Sequence, residues 1–69
     1  MVEIFKTNVE KFSQAQILLR ALFKHFPGYK INFDLEDCDK ILRVQGESIS
    51  SDKIIQLLAG ENYQCRVLE

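Results

Sequence analysis

Residues 29–45 read YKINFDLEDCDKILRVQ and contain two short alternating segments around a polar turn. In the first segment, an apolar residue at every second position alternates with a polar one. Successive side chains of a β-strand point to opposite faces, so this alternation predicts a half-buried antiparallel strand. Residues 36–40 predict a turn, and residues 41–45 predict a returning strand with Leu42 and Val44 inward. We therefore expect a β-hairpin in the middle of the chain.

A strand and a helix are predicted before the hairpin. In residues 2–7, Val2, Ile4 and Phe5 are apolar and the run is too short for a helix, so it predicts a strand. Thr7 and Glu10 have capping-box spacing, with Asn8 as an alternative N-cap, and predict a helix over about 8–26. The helix positions predicted to face the core are Phe12, Ala15, Leu18, Leu19, Leu22 and Phe26.

A second helix and a last strand are predicted after the hairpin. Pro27–Gly28 ends the first helix, and Ser50 is the expected N-cap of a second one that runs to about Ala59. Residues 63–68 then alternate as a strand, with Cys65 on its inner face. The order strand, helix, strand, strand, helix, strand predicts a ferredoxin-like α+β sandwich. Residues 1–69 are expected to form one domain, with the first and third strands central in a four-stranded antiparallel sheet.

Length and charge exclude several classes of function. The chain has 69 residues, a formal net charge of -1 and a pI near 5.8, so we expect no nucleic-acid partner. Two cysteines do not make a disulfide framework, and a reducing cytoplasmic setting is expected. No signal peptide and no membrane insertion are expected either. A monomer or a weak dimer is the expected state.

The open face of the predicted sheet gives a second reason to exclude RNA. Single-stranded RNA binding on this fold needs aromatic side chains on the open face. Phe33 and Tyr63 alternate toward the helices instead. The predicted open-face residues are Lys30, Asn32, Asp34, Arg43, Gln64 and Arg66.

Several short features occur in the order and spacing of a known family. They are Ala21-Leu22 in the first helix, Pro27-Gly28 at its end, residues 33–36 before the hairpin turn, Val44 after it, and Asn62-Tyr63 before the last strand. With them the chain resembles heavy-metal-associated domains, the fold of copper chaperones and of the N-terminal modules of copper-transporting ATPases. The resemblance spans nearly the whole chain. It implies the ferredoxin-like sandwich and a role related to metal trafficking.

The family's metal motif is a Met followed by Cys-x-x-Cys in the first strand-to-helix loop. Counted back from Ala21-Leu22, the Met position falls on Val9, and the two Cys positions fall on Lys11 and Gln14. Monovalent copper needs thiolate or thioether ligands, and none of these three residues offers one. The chain is therefore expected to lack the family's metal site.

Cys38 and Cys65 provide the alternative, a copper- or zinc-binding protein. The topology predicts Cys38 in the hairpin turn near Lys11, between Asp37 and Asp39. A substitute site would use Cys38 and those carboxylates, with Cys65 as a further ligand or with Cys38 from two facing copies. The interpretation without a metal is that Cys38 is an exposed turn residue and that Cys65 is buried and acts as a small apolar residue.

The leading hypothesis is a non-enzymatic docking or regulatory domain without a cofactor. The chain has no Ser-His-Asp set, no nucleophile elbow and no phosphate-binding Gly loop. The partner is expected at the mixed-charge open face of the sheet or at a pole that carries Lys11, Glu36, Asp37 and Asp39. Lys11 is expected to pair with Glu36 or Asp37. His25 is expected at the opposite end of the molecule. A third hypothesis, a ligand-sensing regulatory domain, would need a dimer through a sheet edge.

Overall fold

The computed structural model describes residues 1–68 and contains six elements in the predicted order. They are β1 (Val2–Thr7), α1 (Phe12–His25), β2 (Lys30–Asp34), β3 (Ile41–Gln45), α2 (Ser51–Gly60) and β4 (Cys65–Val67). The strands form one antiparallel sheet in the order β2-β3-β1-β4. The predicted α+β class and the central position of β1 and β3 are both confirmed.

The hydrophobic core lies between one face of the sheet and the two helices. The central strands contribute Phe5, Leu42 and Val44, and none of these side chains is exposed to solvent. The buried core residues are Phe5, Val9, Ala15, Leu18, Leu22, Leu42, Val44, Ile54 and Leu58. A two-layer fold buries only one face of its sheet, and the predicted open-face residues are indeed exposed.

The hairpin agrees with the alternation in its sequence. β2 pairs with β3 through the register Lys30↔Gln45 to Asp34↔Ile41. Ile31 and Phe33 pack against the core, whereas Lys30, Asn32 and Asp34 are exposed. β2 has no strand on its other side, so it is one edge of the sheet, and β4 is the other.

The start of α1 is not where the sequence predicted it. The helix begins at Phe12 with Lys11 as N-cap, four residues later than expected, and ends at His25 just before Phe26 and Pro27. Thr7 is unavailable as a cap because its hydroxyl donates a hydrogen bond to the Lys40 carbonyl and accepts one from the N–H of Val9. The predicted Thr7–Glu10 capping box is therefore wrong.

Asn8 is not the N-cap of α1 either. Its Oδ1 accepts a hydrogen bond from the backbone N–H of Gln64, at 2.8 Å, across to the segment before β4. At the actual helix start, Oε1 of Gln14 accepts hydrogen bonds from the backbone N–H groups of Lys11 (3.1 Å) and Glu10 (3.3 Å). The free N–H groups at this end of the helix are thus partly satisfied by a side chain one turn later.

The predicted core stripe of α1 is also wrong at two residues, Phe12 and Leu19, neither of which belongs to the core cluster. Phe12 is 71% exposed, although Ala15, Leu18 and Leu22 are buried as expected. Phe12 is on the flank of the helix that also carries Leu19 and Phe23, since positions four, seven and eleven apart share a face. This flank faces away from the core.

The last strand is shorter than predicted. Only Cys65–Val67 pairs with β1, because the N–H of Tyr63 donates to the Leu58 carbonyl and that of Gln64 to Asn8.

In residues 1–68 no helix is long and apolar enough to cross a membrane.

Candidate functional site

Three loops meet at one end of the sheet, and two of them, as the topology predicted, bring the hairpin turn to the same end as Lys11. They are the β1–α1 loop (residues 8–11), the β2–β3 turn (residues 35–40) and the α2–β4 loop (residues 61–64). Thr7 connects the first two: its N–H donates to the Asp39 carbonyl at 3.1 Å, and its hydroxyl donates to the Lys40 carbonyl at 2.5 Å. The Gln64 to Asn8 hydrogen bond connects the third. We call this end the loop pole.

The residues at the three family ligand positions lie in the β1–α1 loop and the first turn of α1. Val9 is fully buried in the core, Lys11 is exposed, and Gln14 is half-buried. The Gln14 amide oxygen is already used by the two backbone N–H groups at the helix start. These side chains offer an alkyl group, an ammonium and an engaged amide, so they do not fit monovalent copper.

The β2–β3 turn is held in one shape by its own hydrogen bonds. The N–H of Lys40 donates to the Asp37 carbonyl at 3.0 Å, and the N–H of Asp39 donates to Asp37 Oδ1 at 2.8 Å. Lys40 Nζ donates to the Leu35 carbonyl at 3.0 Å. Lys40 has a φ of 48°, a left-handed conformation that these contacts must compensate. The turn therefore presents its acidic side chains from an ordered backbone.

The turn gathers one thiol and two carboxylates. One potential ligand atom from each of Asp37, Cys38 and Asp39 lies within 4.8 Å of the others. Cys38 is exposed and not in a disulfide. The carboxylates are partly engaged, since Asp37 accepts the Asp39 N–H and Asp39 Oδ1 lies 3.4 Å from Nζ of Lys6. The ion pair of this turn therefore involves Lys6, and in residues 1–68 the expected pairing of Lys11 with Glu36 or Asp37 does not occur.

The structure does not bring Cys65 into this cluster. Cys65 is half-buried on the inner face of β4 and pairs in register with Thr7. Burial raises the pKa of its thiol from 9.0 to about 12, so the thiol is protonated at neutral pH. A protonated, core-facing thiol is a poor metal ligand, because the thiolate is the coordinating form. His25 lies at the far end of α1, beside a groove that Phe26, Lys53, Gln56 and Leu57 complete.

A groove of about 610 Å³ runs between α1 and β2 and opens at the loop pole. Its apolar residues include Phe12, Leu19 and Phe33, and three carboxylates lie on its rim. The residues that line it are Glu10, Phe12, Ala15, Leu19, Asn32, Phe33, Asp34, Leu35 and Glu36. Sequence reasoning missed this groove because it assigned Phe12 and Leu19 to the core. The signal available was the helical spacing of Phe12, Leu19 and Phe23.

The comparisons with known proteins add no relative. The chain matches no protein-family model, no curated protein and no solved structure.

Proposed function

We propose that this protein is a non-enzymatic, heavy-metal-associated-like domain that docks a protein partner at its loop pole, in a role related to metal trafficking. The domain needs no cofactor for this role. The arrangement of strands and helices agrees with the fold that the sequence resemblance implies. The docking surface consists of Lys11, Glu36, Asp37 and Asp39.

The observation that carries the proposal is the structural use of the former ligand positions. Val9 fills the core, and the Gln14 amide oxygen caps the start of α1. Restoring a metal loop would cost a core contact and a helix cap, so these positions support the fold rather than an ion. What the pole offers a partner is Lys11 beside a turn of ordered carboxylates, which favours a partner surface with both charge signs.

A charge-reversed variant tests this role. Lys11→Glu combined with Asp37→Lys changes the charge pattern of the pole at constant net charge, and Lys53→Glu combined with Asp52→Lys does the same on α2. Each protein is used for affinity capture from cells that contain it, and a captured partner is then purified and titrated against labelled protein. We expect the pole variant to weaken binding at least tenfold and the α2 variant to bind as the parent does. If the pole variant binds the partner as tightly as the parent does, the proposal is refuted.

A second function, metal binding at the turn, is supported by the clustering of Asp37, Cys38 and Asp39. One thiolate with two carboxylates suits zinc better than monovalent copper. A tetrahedral site would need a fourth ligand, such as Cys38 of a facing copy. Titration of zinc and of monovalent copper under reducing conditions, followed by amide shifts, decides between the two functions. Sub-micromolar shifts around Cys38 that disappear in Cys38→Ser but persist in Cys65→Ser would favour metal binding and refute docking without a metal.

A further inference from the structure

The sequence of the edge strand β2 has a defined order of charges. Its five residues, KINFD, carry a positive charge at one end and a negative charge at the other, both on the open face. Edge strands offer unpaired backbone groups, which natural proteins usually protect by shortness, by charged side chains such as Lys, by a bulge or by covering. In β2 the charged residues Lys30 and Asp34 provide such protection at the two ends. β2 is a regular strand of average length, and among the described residues no element pairs with its outer side.

The sequence of β2 is complementary to that of a second copy of β2 running in the opposite direction. If two copies of β2 pair antiparallel around Asn32, Lys30 of each copy lies opposite Asp34 of the other. On the helix face, Ile31 then lies opposite Phe33. Directly opposed residues of an antiparallel pair point to the same face and interact, so both charge pairs and both apolar pairs are favourable.

The flank of α1 next to this edge also suits antiparallel association, because it carries an exposed aromatic residue near each end. Phe12 is 71% exposed near the start of the helix, and Phe23 is 42% exposed near its end. Leu19 lies between them and lines the groove beside β2. A twofold axis through the β2 edge would set the Phe12 end of one helix against the Phe23 end of the other and cover both aromatic side chains.

The charges at the two ends of the edge also fit a second copy. At the loop pole the groove carries Glu10 and Glu36, and both are exposed. The opposite end carries Lys24 in the last turn of α1 and Lys30 at the start of β2. Antiparallel association places the acidic end of each copy next to the basic end of the other, which favours this orientation over a parallel one.

We propose that two copies of this chain associate through the free edges of β2, centred on Asn32, to form one continuous eight-stranded sheet with all four helices on one side. The interface is isologous: each copy contributes β2 and the exposed flank of α1. The edge is small, so the dimer is weak and forms at high micromolar to millimolar concentration. Lys11, Asp37 and Asp39 lie outside β2 and the exposed flank of α1. Glu36, however, belongs both to the docking surface and to the acidic end of this edge, so dimerisation and docking share that one residue.

The test uses charge swaps across the dyad. Lys30→Asp alone sets acid against acid in the homodimer, and Asp34→Lys alone sets base against base. A mixture of the two single variants restores both pairs in a heterodimer, and the double swap restores them in a homodimer. Arg66→Asp, on the opposite edge strand, is the control for the change in net charge in Lys30→Asp. Sedimentation equilibrium up to millimolar protein gives the mass, against 8.0 kDa for one chain.

We expect the parent, the double swap and Arg66→Asp to dimerise with similar affinity. Each single variant should dimerise about tenfold more weakly or worse, since two favourable cross-strand pairs become repulsive, and the mixture should recover parental affinity. A parent that stays monomeric at millimolar concentration overturns the proposal and leaves the edge to a different partner. Single variants that dimerise like the parent, or a mixture that does not recover, overturn it as well. Circular dichroism of each variant shows whether it is folded, and the mixing result is free of that ambiguity.

Discussion

The two edges of the sheet are built differently. β2 has five residues and lies beside an open groove, whereas β4 has three residues and is hydrogen-bonded at both ends to other segments. Just before β4, Gln64 donates to the Asn8 side chain, and just after it, Leu68 donates to the Ile4 carbonyl at 2.8 Å. Both bonds go to β1 or to the loop that follows it, on the paired side of β4. β4 is therefore a short edge strand held at both ends, whereas β2 is a longer edge strand beside a groove.

We expect the largest difference in stability between the two edges to come from the apolar side chains that anchor each edge strand to the core. Phe33 of β2 and Val67 of β4 both pack against the core. We expect Phe33→Ala to lower the free energy of unfolding by about 3 kcal/mol and Val67→Ala by about 1 kcal/mol, because more buried surface is lost at Phe33. Urea denaturation of the two variants measures this. Equal losses would mean that both edges depend equally on packing.

The next largest effect on stability concerns the close contact between Gly46, just after β3, and Tyr29, just before β2. A Cβ added at Gly46 would lie 2.6 Å from Cδ1 of the Tyr29 ring, whereas one added at Gly28 meets no atom within 4 Å. The Tyr29 ring cannot easily retreat, since it stacks on Phe26 at a centroid distance of 5.2 Å. Gly46→Ala should therefore cost about 2 kcal/mol. Thermal unfolding is the measurement.

Gly28→Ala is the matched control for that substitution. It should leave stability unchanged or raise it by up to about 1 kcal/mol, because it restricts the unfolded chain without a clash. A shift of 1 kcal/mol corresponds to roughly 4–8 °C in a domain of this size. If Gly46→Ala melts like Gly28→Ala, the contact with Tyr29 does not constrain β2.

A smaller effect is expected from the Tyr29 hydroxyl. It donates to the Ser48 carbonyl at 2.5 Å and accepts from the N–H of Ser50, the N-cap of α2, at 3.2 Å. Tyr29→Phe removes both hydrogen bonds but keeps the stacked ring, so we expect a loss of about 1 kcal/mol. Amide exchange at Ser50 should accelerate in the variant. Unchanged exchange there would show that the hydroxyl does not connect β2 to α2.

The last effect is absent near neutral pH and is confined to alkaline conditions: a pH dependence of stability at the β4 edge. Burial holds the pKa of Cys65 at about 12 in the folded protein, above its ordinary value of 9.0. The unfolded chain then binds fewer protons than the folded one between these two values, so stability falls as pH rises from 9 toward 12. Denaturation of the parent and of Cys65→Ala over this range isolates the contribution. A parent whose pH profile matches that of Cys65→Ala would contradict it.

Much of the fold was readable from local patterns. The alternation around Phe33 and the helix stop at Pro27 depend on neighbouring residues alone, and the order of the elements then predicts the sheet and its central strands through the rules of strand connection. The helix start was not readable. Thr7 has the spacing of a cap, but its hydroxyl is committed to Lys40, which is distant in sequence. A capping pattern does not show that a tertiary hydrogen bond competes for the same side chain.

The candidate site, like the fold, was predicted from the sequence only in part. That Val9, Lys11 and Gln14 could not hold copper follows from their chemistry alone. Their structural roles, a core contact for Val9 and a helix cap for Gln14, depend on the folded arrangement and could not be predicted from the sequence. The pairing of Asp39 with Lys6 was missed because it joins β1 to the hairpin turn, and the sequence carries no local sign of it.

The central position of β1 has a consequence for how the chain folds. Phe5 pairs with Leu42 on one side and with Val67 on the other. The β2–β3 hairpin closes a short loop and can form early, whereas both pairings of β1 join distant parts of the chain and must first overcome the entropy of closing long loops. Substitutions at Phe5 should therefore slow folding, while those on the edge strands mainly speed unfolding. We therefore expect the rate of folding to be limited by the pairing of β1 with both of its neighbours.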